Sequence, residues 1–203
     1  MKSEKNKGRF LIFFGIVFIF AALLITGYNL WVDHTAGKSV NCIVENIDDS
    51  IPVNNLPTEQ PKYILNPDME MPVITIDGID YIGKISISSL DIELPVTSEW
   101  SYDNLADAVC RYDGSIYQNN MIIAGHNYAS LFKNLKRISV QDEIAFTDIE
   151  GNVFYYNVIE TEILKPVNVE EMKSGDWDLT LFTCTSGGRA RLAVRCERVN
   201  ELF

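Results

Sequence analysis

The 203-residue sequence predicts a mainly β domain, either a closed β-barrel or a β-sandwich, preceded by one membrane-spanning helix. Two observations predict this class. From residue 73 onward, about eight short segments are rich in β-branched residues and alternate between apolar and polar positions, whereas helical patterns are few and short. Before them lies an uncharged apolar run of about 23 residues.

The apolar run, residues 10–32, predicts a transmembrane signal anchor. As a helix, about 23 residues extend roughly 34 Å, which is enough to cross a hydrocarbon core of roughly 30 Å. The preceding tail, residues 1–9, is basic, which predicts a cytoplasmic N-terminus and an extracellular remainder in a single-pass protein of the cell membrane. A cleaved signal peptide is the alternative, but its apolar core normally has only about 7–15 residues.

Residues 33–71 are predicted to be an extracellular linker that leads to a domain of residues 72–203. Five of the seven prolines lie between Pro52 and Pro72. Because proline has a fixed φ and no amide donor, such a segment disfavours a helix or a central strand. We expect a semi-extended spacer, with the alternative that part of it packs on the domain as a lid.

The chain beyond the basic tail is strongly acidic. It holds 13 basic and 27 acidic residues, a formal net charge of −14. Acidity of this kind favours solubility and excludes the basic stripe that nucleic-acid binding needs, so no nucleic-acid partner is predicted.

The predicted elements of the domain follow in chain order. The strands are expected at residues 73–76, 81–87, 92–96, 121–124, 143–147, 153–160, 179–184 and 191–198, with a further extended piece at 163–167. A helix is expected after Ser101, which can cap it, because Tyr102, Leu105 and Val109 would share one face. A second short helix is expected at 131–138 and a helical turn at 169–172.

The last two strands carry the first candidate pair of functional residues. Cys184 ends an apolar strand and Arg191 begins the next, with a six-residue loop between them. If the strands pair antiparallel across that loop, the two residues lie opposite each other, with Cβ atoms roughly 4.5–5.5 Å apart. Because a thiolate is the reactive nucleophile and positive charge favours it, the two form a candidate catalytic pair. Arg189, in the loop, is the rival arginine.

A nucleophilic cysteine also needs a group that moves protons, and histidine is the usual one near neutral pH. Of the two histidines, His34 lies beside the apolar run, which leaves His126. His126 follows an apolar strand through Gly125, which we expect to let the backbone turn and present the ring. Each candidate also has a non-catalytic alternative. Cys184 could fill the core, His126 could be a structural residue, and Arg191 could be solvated on an exposed strand face.

The remaining cysteines are Cys42, Cys110 and Cys196. The predicted hairpin places Cys196 near Leu179, which argues against a Cys184–Cys196 disulfide, while a Cys110–Cys196 bridge stays open. With two histidines in the chain, no pair of cysteines has metal-ligand spacing, so no metal is predicted.

Residues 180–184, Thr-Leu-Phe-Thr-Cys, fit the Thr-Leu-x-Thr-Cys motif of the sortases, Gram-positive transpeptidases that attach proteins to the cell wall or build pili. His126 follows Ala-Gly and precedes the cysteine by about 60 residues, as in many sortases, and Arg191 opens the next strand like the sortase arginine. The chain therefore resembles sortases over residues 73–203. The resemblance implies a closed, eight-stranded sortase-type β-barrel with short helices as the catalytic domain.

The resemblance also implies a mechanism. Cys184 would attack a backbone carbonyl in the sorting signal of a surface protein, such as that of the bond after Thr in an LPXTG-like motif, and His126 would protonate the departing amine. Arg191 would donate hydrogen bonds to the substrate backbone or to the oxyanion. An amine of a peptidoglycan precursor or a pilin, or else water, would resolve the thioacyl-enzyme without metal or organic cofactor. Thr183, Thr180 and Asn127 are candidate substrate-binding residues.

The sortase subclass stays open at this point. The His-Asn pair and residues 131–136 resemble class B sortases, whereas residues 191–195, Arg-Leu-Ala-Val-Arg, resemble the pilin-polymerising class. Two other functions are alternatives: an extracellular thiol peptidase that only hydrolyses, and a non-catalytic β-domain that binds wall components.

Overall fold

The structure is a computed structural model that describes residues 2–52 and 60–199. The chain divides into two compact units, residues 1–35 and 36–203. Its helices are α1 (Lys2–Ser50), α2 (Lys62–Leu65) and α3 (Val169–Lys173). Part of the predicted linker, residues 53–59, lies outside the described residues.

The first unit consists of the N-terminal part of α1. Its segment Phe10–Asn29 has 20 residues and a mean hydropathy of 2.8, and none of its side chains is buried. By length and composition alone, this segment is able to cross a membrane.

The second unit is built on a single β-sheet. Its strands are β1 (Ile74–Ile76), β2 (Ile79–Ile87), β3 (Ile92–Thr97), β4 (Val109–Asp113), β5 (Met121–Gly125), β6 (Glu143–Asp148), β7 (Val153–Leu164), β8 (Leu179–Cys184) and β9 (Arg191–Arg198). The strand order is β1-β2-β3-β4-β5-β8-β9-β7-β6, and β6 also pairs with β2. This pairing closes β2 to β9 into a barrel, with β1 as an added edge strand. The predicted eight-stranded barrel is therefore confirmed.

The barrel is mixed, because β3 runs parallel to β4 and β5 runs parallel to β8. The other neighbouring strands pair antiparallel. Parallel neighbours need a long crossover connection, and residues 126–178 supply it between β5 and β8. This crossover matters for function because β5 and β8 end at the same edge of the barrel.

Alternation along the strands separates a barrel interior from an outer layer. Leu179 and Leu181 of β8, with Val194 of β9, belong to the main core inside the barrel. Phe182 and Ala193 lie on the opposite face and pack in a smaller cluster with Met172 of α3. The outer face of β8 and β9 is therefore covered by another part of the chain.

The structure differs from the prediction at β4. The helix expected from Ser101 to Val109 is a short 3-10 turn, Asn104–Ala106, and Val109 is the first residue of β4. Ser101 is not the N-cap of this turn, which is Asp103, but its Oγ accepts a hydrogen bond of 2.9 Å from the Asn104 amide. Residues 109–113 form a strand because β3 and β5 flank them, a tertiary context that overrides the local pattern. The helix expected at 131–138 is likewise a 3-10 helix, Phe132–Arg137.

The expectation of a semi-extended linker is wrong for residues 36–50, which are helical in α1. Val40, Val44 and Ile47 are buried in the second unit. Their spacing forms one helix face, and the proline-rich stretch that would break a helix begins only at Pro52. Asp48 of this segment forms an ion pair with Lys84 of β2.

A buried carboxylate holds the turn between β6 and β7. Asp148 is fully buried and accepts hydrogen bonds from the Tyr117 hydroxyl (2.8 Å), the Glu150 amide (2.9 Å), and the amide and Nδ2 of Asn152 (2.9 and 2.8 Å). One side chain therefore satisfies four donors at the end of the barrel.

Replacement of Asp148 by alanine is expected to lower the free energy of unfolding by about 3 kcal/mol, because it leaves several donors without their partner. Urea unfolding followed by tryptophan fluorescence measures the change. Glu143→Ala, on the exposed face of the same strand, is the control and should shift stability by less than about 0.5 kcal/mol. Equal losses in the two variants would contradict this role of Asp148.

Candidate active site

Three predicted site residues meet at one edge of the barrel. Gly125, the last residue of β5, is the parallel partner of Thr183, so that His126 and Cys184 each follow directly at the same edge. Cys184 is in turn the antiparallel partner of Arg191. The predicted pairing of Cys184 with Arg191 is therefore confirmed. The parallel pairing of β5 with β8 also brings His126, 58 residues earlier in the chain, to the same edge.

His126, Cys184 and Arg191 line one cavity of about 320 Å³ on the outer face of the sheet. The rest of its lining is mostly apolar and comes from the segments 100–105 and 165–172 as well as from the strands. The apolar side chains are Trp100, Tyr102, Leu105, Tyr112, Ala124, Pro166, Val169, Met172 and Phe182. The cavity is therefore a mostly apolar groove, and its polar side chains are those of Lys165 and Asn168 besides the three candidate residues.

One side of this groove is a row of aromatic rings. The ring centroid of Trp100 lies 5.0 Å from that of Tyr102 and 6.1 Å from that of Tyr112, and Tyr112 lies 5.3 Å from Phe182. The pairs are edge-to-face, the arrangement that aromatic quadrupoles favour. These rings are the aromatic wall of the groove. Its helical wall is α3 with the residues before it, which also line the groove, and Met172 of this wall packs in one cluster with Tyr112 and Phe182.

All four cysteines are free thiols, which answers the open question of a Cys110–Cys196 bridge. Cys196 is buried in the barrel core and Cys110 in a cluster on the outer face of the sheet, and burial raises the pKa of both thiols. Cys42 is exposed on α1, away from the lining of the groove. Cys184 is half-buried and is the cysteine among the groove-lining residues.

His126 is half-buried, and this burial lowers the pKa of its imidazole below the ordinary value. The imidazole is therefore mainly neutral at pH 7. Its ring centroid lies 4.7 Å from that of Tyr128, and its backbone carbonyl accepts a hydrogen bond of 3.1 Å from the Phe132 amide. These contacts hold the residue at the barrel edge.

Gly125 is required for a reason that differs from the expected one. Its φ is not in the left-handed region. Instead, a Cβ at this position would lie 2.4 Å from Cδ2 of Phe132 and 2.9 Å from Cγ1 of Val109. Because both neighbours are buried, glycine here permits the close packing of the strand that precedes His126.

Arg191 is held by its own loop. Its Nη1 donates to the carbonyls of Ala190 (3.2 Å) and Gly188 (3.4 Å). The loop turns at Gly187 and Gly188, whose φ angles of 89° and 71° favour glycine. Arg189, the rival arginine, is exposed and is not among the groove-lining residues.

The three predicted substrate-binding residues lie close to the groove but do not line it. Thr183 faces the barrel interior, and its buried hydroxyl has no hydrogen-bond partner. Thr180 is on the outer face but is covered by Arg195, whose Nη1 donates to the Thr180 hydroxyl at 3.1 Å. Asn127 is half-buried beside His126. Their role in substrate binding stays a prediction.

The walls of the groove were not predicted from the sequence. Trp100 and Tyr102 come from a loop and Val169 and Met172 from a short helix, and neither segment has a pattern that indicates a binding surface. Exposed aromatic residues in a loop, here a 40 % exposed Trp100 and a 75 % exposed Tyr102, were the available signal. Among the described residues, no group of three His, Cys, Asp or Glu side chains is arranged to hold a metal ion.

A family model of the sortase domain matches residues 85–199, which is more than half of the chain. The chain therefore belongs to the sortase family. It is 31 % identical over 127 residues to sortase A of Bacillus anthracis, a match that covers 59 % of this chain and 60 % of that protein. The match thus spans about three fifths of this relative.

Two solved structures of Clostridium perfringens proteins share the fold. Sortase C, solved with the C-terminal cell wall sorting motif, superposes with a TM-score of 0.59 at 23 % identity, over 80 % of this chain and 98 % of that one. The sortase D5 transpeptidase superposes with a TM-score of 0.56 at 21 % identity, over 80 % and 97 %. At these identities the likeness concerns the fold.

Proposed function

We propose that this chain is a membrane-anchored cysteine transpeptidase that cleaves an LPXTG-like sorting signal and transfers the acyl group to an amine of a peptidoglycan precursor or a pilin. The observation that carries the proposal is the meeting of Cys184, His126 and Arg191 in one apolar groove. Membership of the sortase family supports it, as do neighbours whose names include a transpeptidase and a cell wall sorting motif.

The groove suits an extended apolar peptide. Its lining is mostly apolar, whereas Cys184, His126 and Arg191 offer the polar groups that can act on a peptide bond. The aromatic wall and Met172 offer contacts for leucine and proline side chains, and ligand sites are commonly apolar with few polar groups.

The proposed reaction has two steps. In the first, the neutral imidazole of His126 takes the proton of the Cys184 thiol, and Sγ attacks the carbonyl carbon of threonine. The C–N bond after threonine breaks, and His126 gives its proton to the departing amine. In the second, an acceptor amine attacks the thioester, His126 takes its proton, the C–S bond breaks, and His126 returns the proton to the Cys184 sulfur. The product is a new amide, and Cys184 is regenerated.

Arg191 is the proposed stabiliser of the oxyanion. It is the pairing partner of Cys184, and its guanidinium also lines the groove. A guanidinium has five N–H donors, so that the Nη1 contacts with the loop leave donors for a substrate oxygen. Donors that meet the charge developing in the transition state accelerate the reaction.

We also propose that the segment Phe10–Asn29 anchors the enzyme, with the basic residues 1–9 in the cytoplasm and the barrel outside. The predicted boundaries, an anchor at 10–32 and a catalytic domain at 72–203, belong to this proposal. Residues 36–50 would then belong to the extracellular part, as a helix packed on the barrel.

The acid limb of the pH profile of kcat/KM is expected to lie below about pH 6.5, the ordinary pKa of histidine. Burial lowers the pKa of His126, so the fully protonated and inactive Cys–His pair accumulates only below that pH. As pH rises through this pKa, activity should rise. An NMR titration of His126 in a His34→Gln variant, which retains one histidine, should give a matching midpoint. A limb at or above pH 6.5 would contradict this expectation.

The function is tested with the full chain in detergent micelles, a library of sorting-signal peptides and several amine acceptors, such as oligoglycine and a lysine peptide. Mass spectrometry follows both cleavage and amide formation. Acyl transfer to at least one amine is expected. Cleavage without transfer to any acceptor would favour the hydrolytic peptidase. Complete inertness, together with no selective alkylation of Cys184, would favour a binding domain.

A further inference from the structure

Arg195 is a buried arginine on the outer face of β9, and only 2 % of it is exposed. Its Nε donates to Glu162 Oε1 at 2.7 Å, and its Nη2 lies 2.6 Å from the same oxygen. Its Nη1 donates to the Thr180 hydroxyl at 3.1 Å. Arg195 is thus bound to Thr180 on β8 and to Glu162 on β7, the two strands that flank β9.

The other two contacts of Arg195 go to α3. Nη1 donates to the Met172 carbonyl and Nη2 to the Glu171 carbonyl, each at 2.8 Å. The last carbonyls of a helix have no partner within the helix, so a guanidinium at this end is favourable both as a donor and as a cation. Arg195 therefore donates four hydrogen bonds, and its Nη2 is also ion-paired with Glu162.

The carbonyls that Arg195 binds belong to the helical wall of the groove. Met172 is buried and lines the groove, as does Val169 one turn earlier. A second contact, the ion pair between Lys173 and Asp113 at 2.5 Å, also joins α3 to the sheet, but both side chains are nearly half exposed. Exposed pairs contribute little, so Arg195 is the main polar attachment of this wall.

We propose that Arg195 is a positioning residue for substrate binding, which holds α3 at the distance from the aromatic wall that a sorting-signal peptide requires. The proposal rests on the proposed function, because it assigns a role in binding that reaction's substrate. Thr180, expected from the sequence to bind substrate, acts instead through Arg195, and Glu162 completes the attachment.

The attachment lies away from the reacting atoms. Arg195 is the pairing partner of Thr180, and Cys184 is four residues further along β8, about 13 Å away. A change at Arg195 should therefore move the wall without changing the reactivity of the Cys184 thiol. This separation distinguishes a positioning role from a catalytic one.

The proposal is tested with the full chain in detergent micelles and the best sorting-signal peptide of the wild type. Arg195→Met is expected to raise KM about tenfold or more while kcat changes less than about threefold. The rate of Cys184 alkylation by iodoacetamide should stay within about twofold of wild type. Hydrogen exchange of the amides in residues 169–174 should become faster, because α3 loses its attachment.

Two milder variants cover the case in which Arg195→Met does not fold. Thr180→Val removes one acceptor, and Arg195→Lys keeps the charge but loses the planar fork; each should raise KM less than Arg195→Met. Arg198→Met is the matched control on the same strand, because Arg198 donates to Asn119 and packs on Phe154, remote from α3. Its KM and the exchange of α3 should match those of wild type.

Three results would overturn the proposal: an unchanged KM in both Arg195 variants, a loss of kcat alone, or the same rise in KM in Arg198→Met. Exchange of residues 169–174 and alkylation of Cys184 are measured without substrate. If the wild type proves inert, the proposed function fails, whereas these two measurements still decide whether Arg195 holds α3.

Discussion

Replacement of Cys184 by alanine is expected to lower kcat for peptide cleavage by at least about 10⁴-fold, because it removes the nucleophile on which both steps of the reaction depend. The variant should also form no covalent adduct with a sorting-signal peptide. Intact-protein mass spectrometry checks this, since the wild type should gain the mass of the acyl fragment at Cys184. The fold should be kept, as Cys184 is a half-buried residue at a strand end.

The matched control is Cys42→Ala. Cys42 is the exposed cysteine on α1, and its removal should leave the activity at the wild-type level. In this background, alkylation should occur at Cys184 alone, because Cys110 and Cys196 are buried. Full activity of Cys184→Ala, or a covalent adduct on another cysteine, would rule out the proposed mechanism.

The second large effect is expected at Arg191. Its replacement by methionine should reduce kcat/KM by about 10²–10³-fold, the usual loss when one oxyanion donor is removed. Methionine keeps much of the length of the side chain but has neither charge nor donors. Steady-state kinetics with one peptide and one amine measure the loss, and a change that falls mainly on kcat would support a role in the transition state.

Arg189→Met is the control for Arg191. The two arginines are close in sequence, but Arg189 is exposed in the loop whereas Arg191 pairs with Cys184 and lines the groove. Arg189→Met should retain activity within about threefold. If instead this variant lost activity and Arg191→Met did not, the loop arginine would be the functional one.

Local sequence patterns predicted those elements that are formed by residues close together in the chain. The hairpin of β8 and β9 follows from two alternating apolar segments and a six-residue loop, and its register was predicted correctly at Cys184 and Arg191. Composition alone marked the apolar segment at 10–29 as able to cross a membrane. Both results depend on interactions between residues near in sequence.

Local patterns failed where a distant part of the chain decides the conformation. Val109 has the spacing of a helix face with Tyr102 and Leu105, yet it begins β4, a strand that was not predicted and that β3 and β5 flank. Residues 36–50 were expected to be extended, yet their apolar face makes them a helix packed on the barrel. At β4 the pairing with remote strands outweighs the local preference, whereas in residues 36–50 the spacing of Val40, Val44 and Ile47 is itself a helix pattern that the nearby prolines obscured.

The sequence by itself determined the chemical identity of the candidate site: one cysteine at a strand end, the arginine opposite it, and His126 as the histidine remote from the apolar run. The tertiary structure alone decided what surrounds them. The crossover between the parallel strands β5 and β8 brings His126 to Cys184, and segments 100–105 and 165–172 form the groove walls. The buried contacts of Arg195 with α3 also depend on the tertiary structure. The sequence does not indicate them, because the Glu171 and Met172 carbonyls that accept these hydrogen bonds are distant in the chain and lie beside Arg195 only in the folded protein.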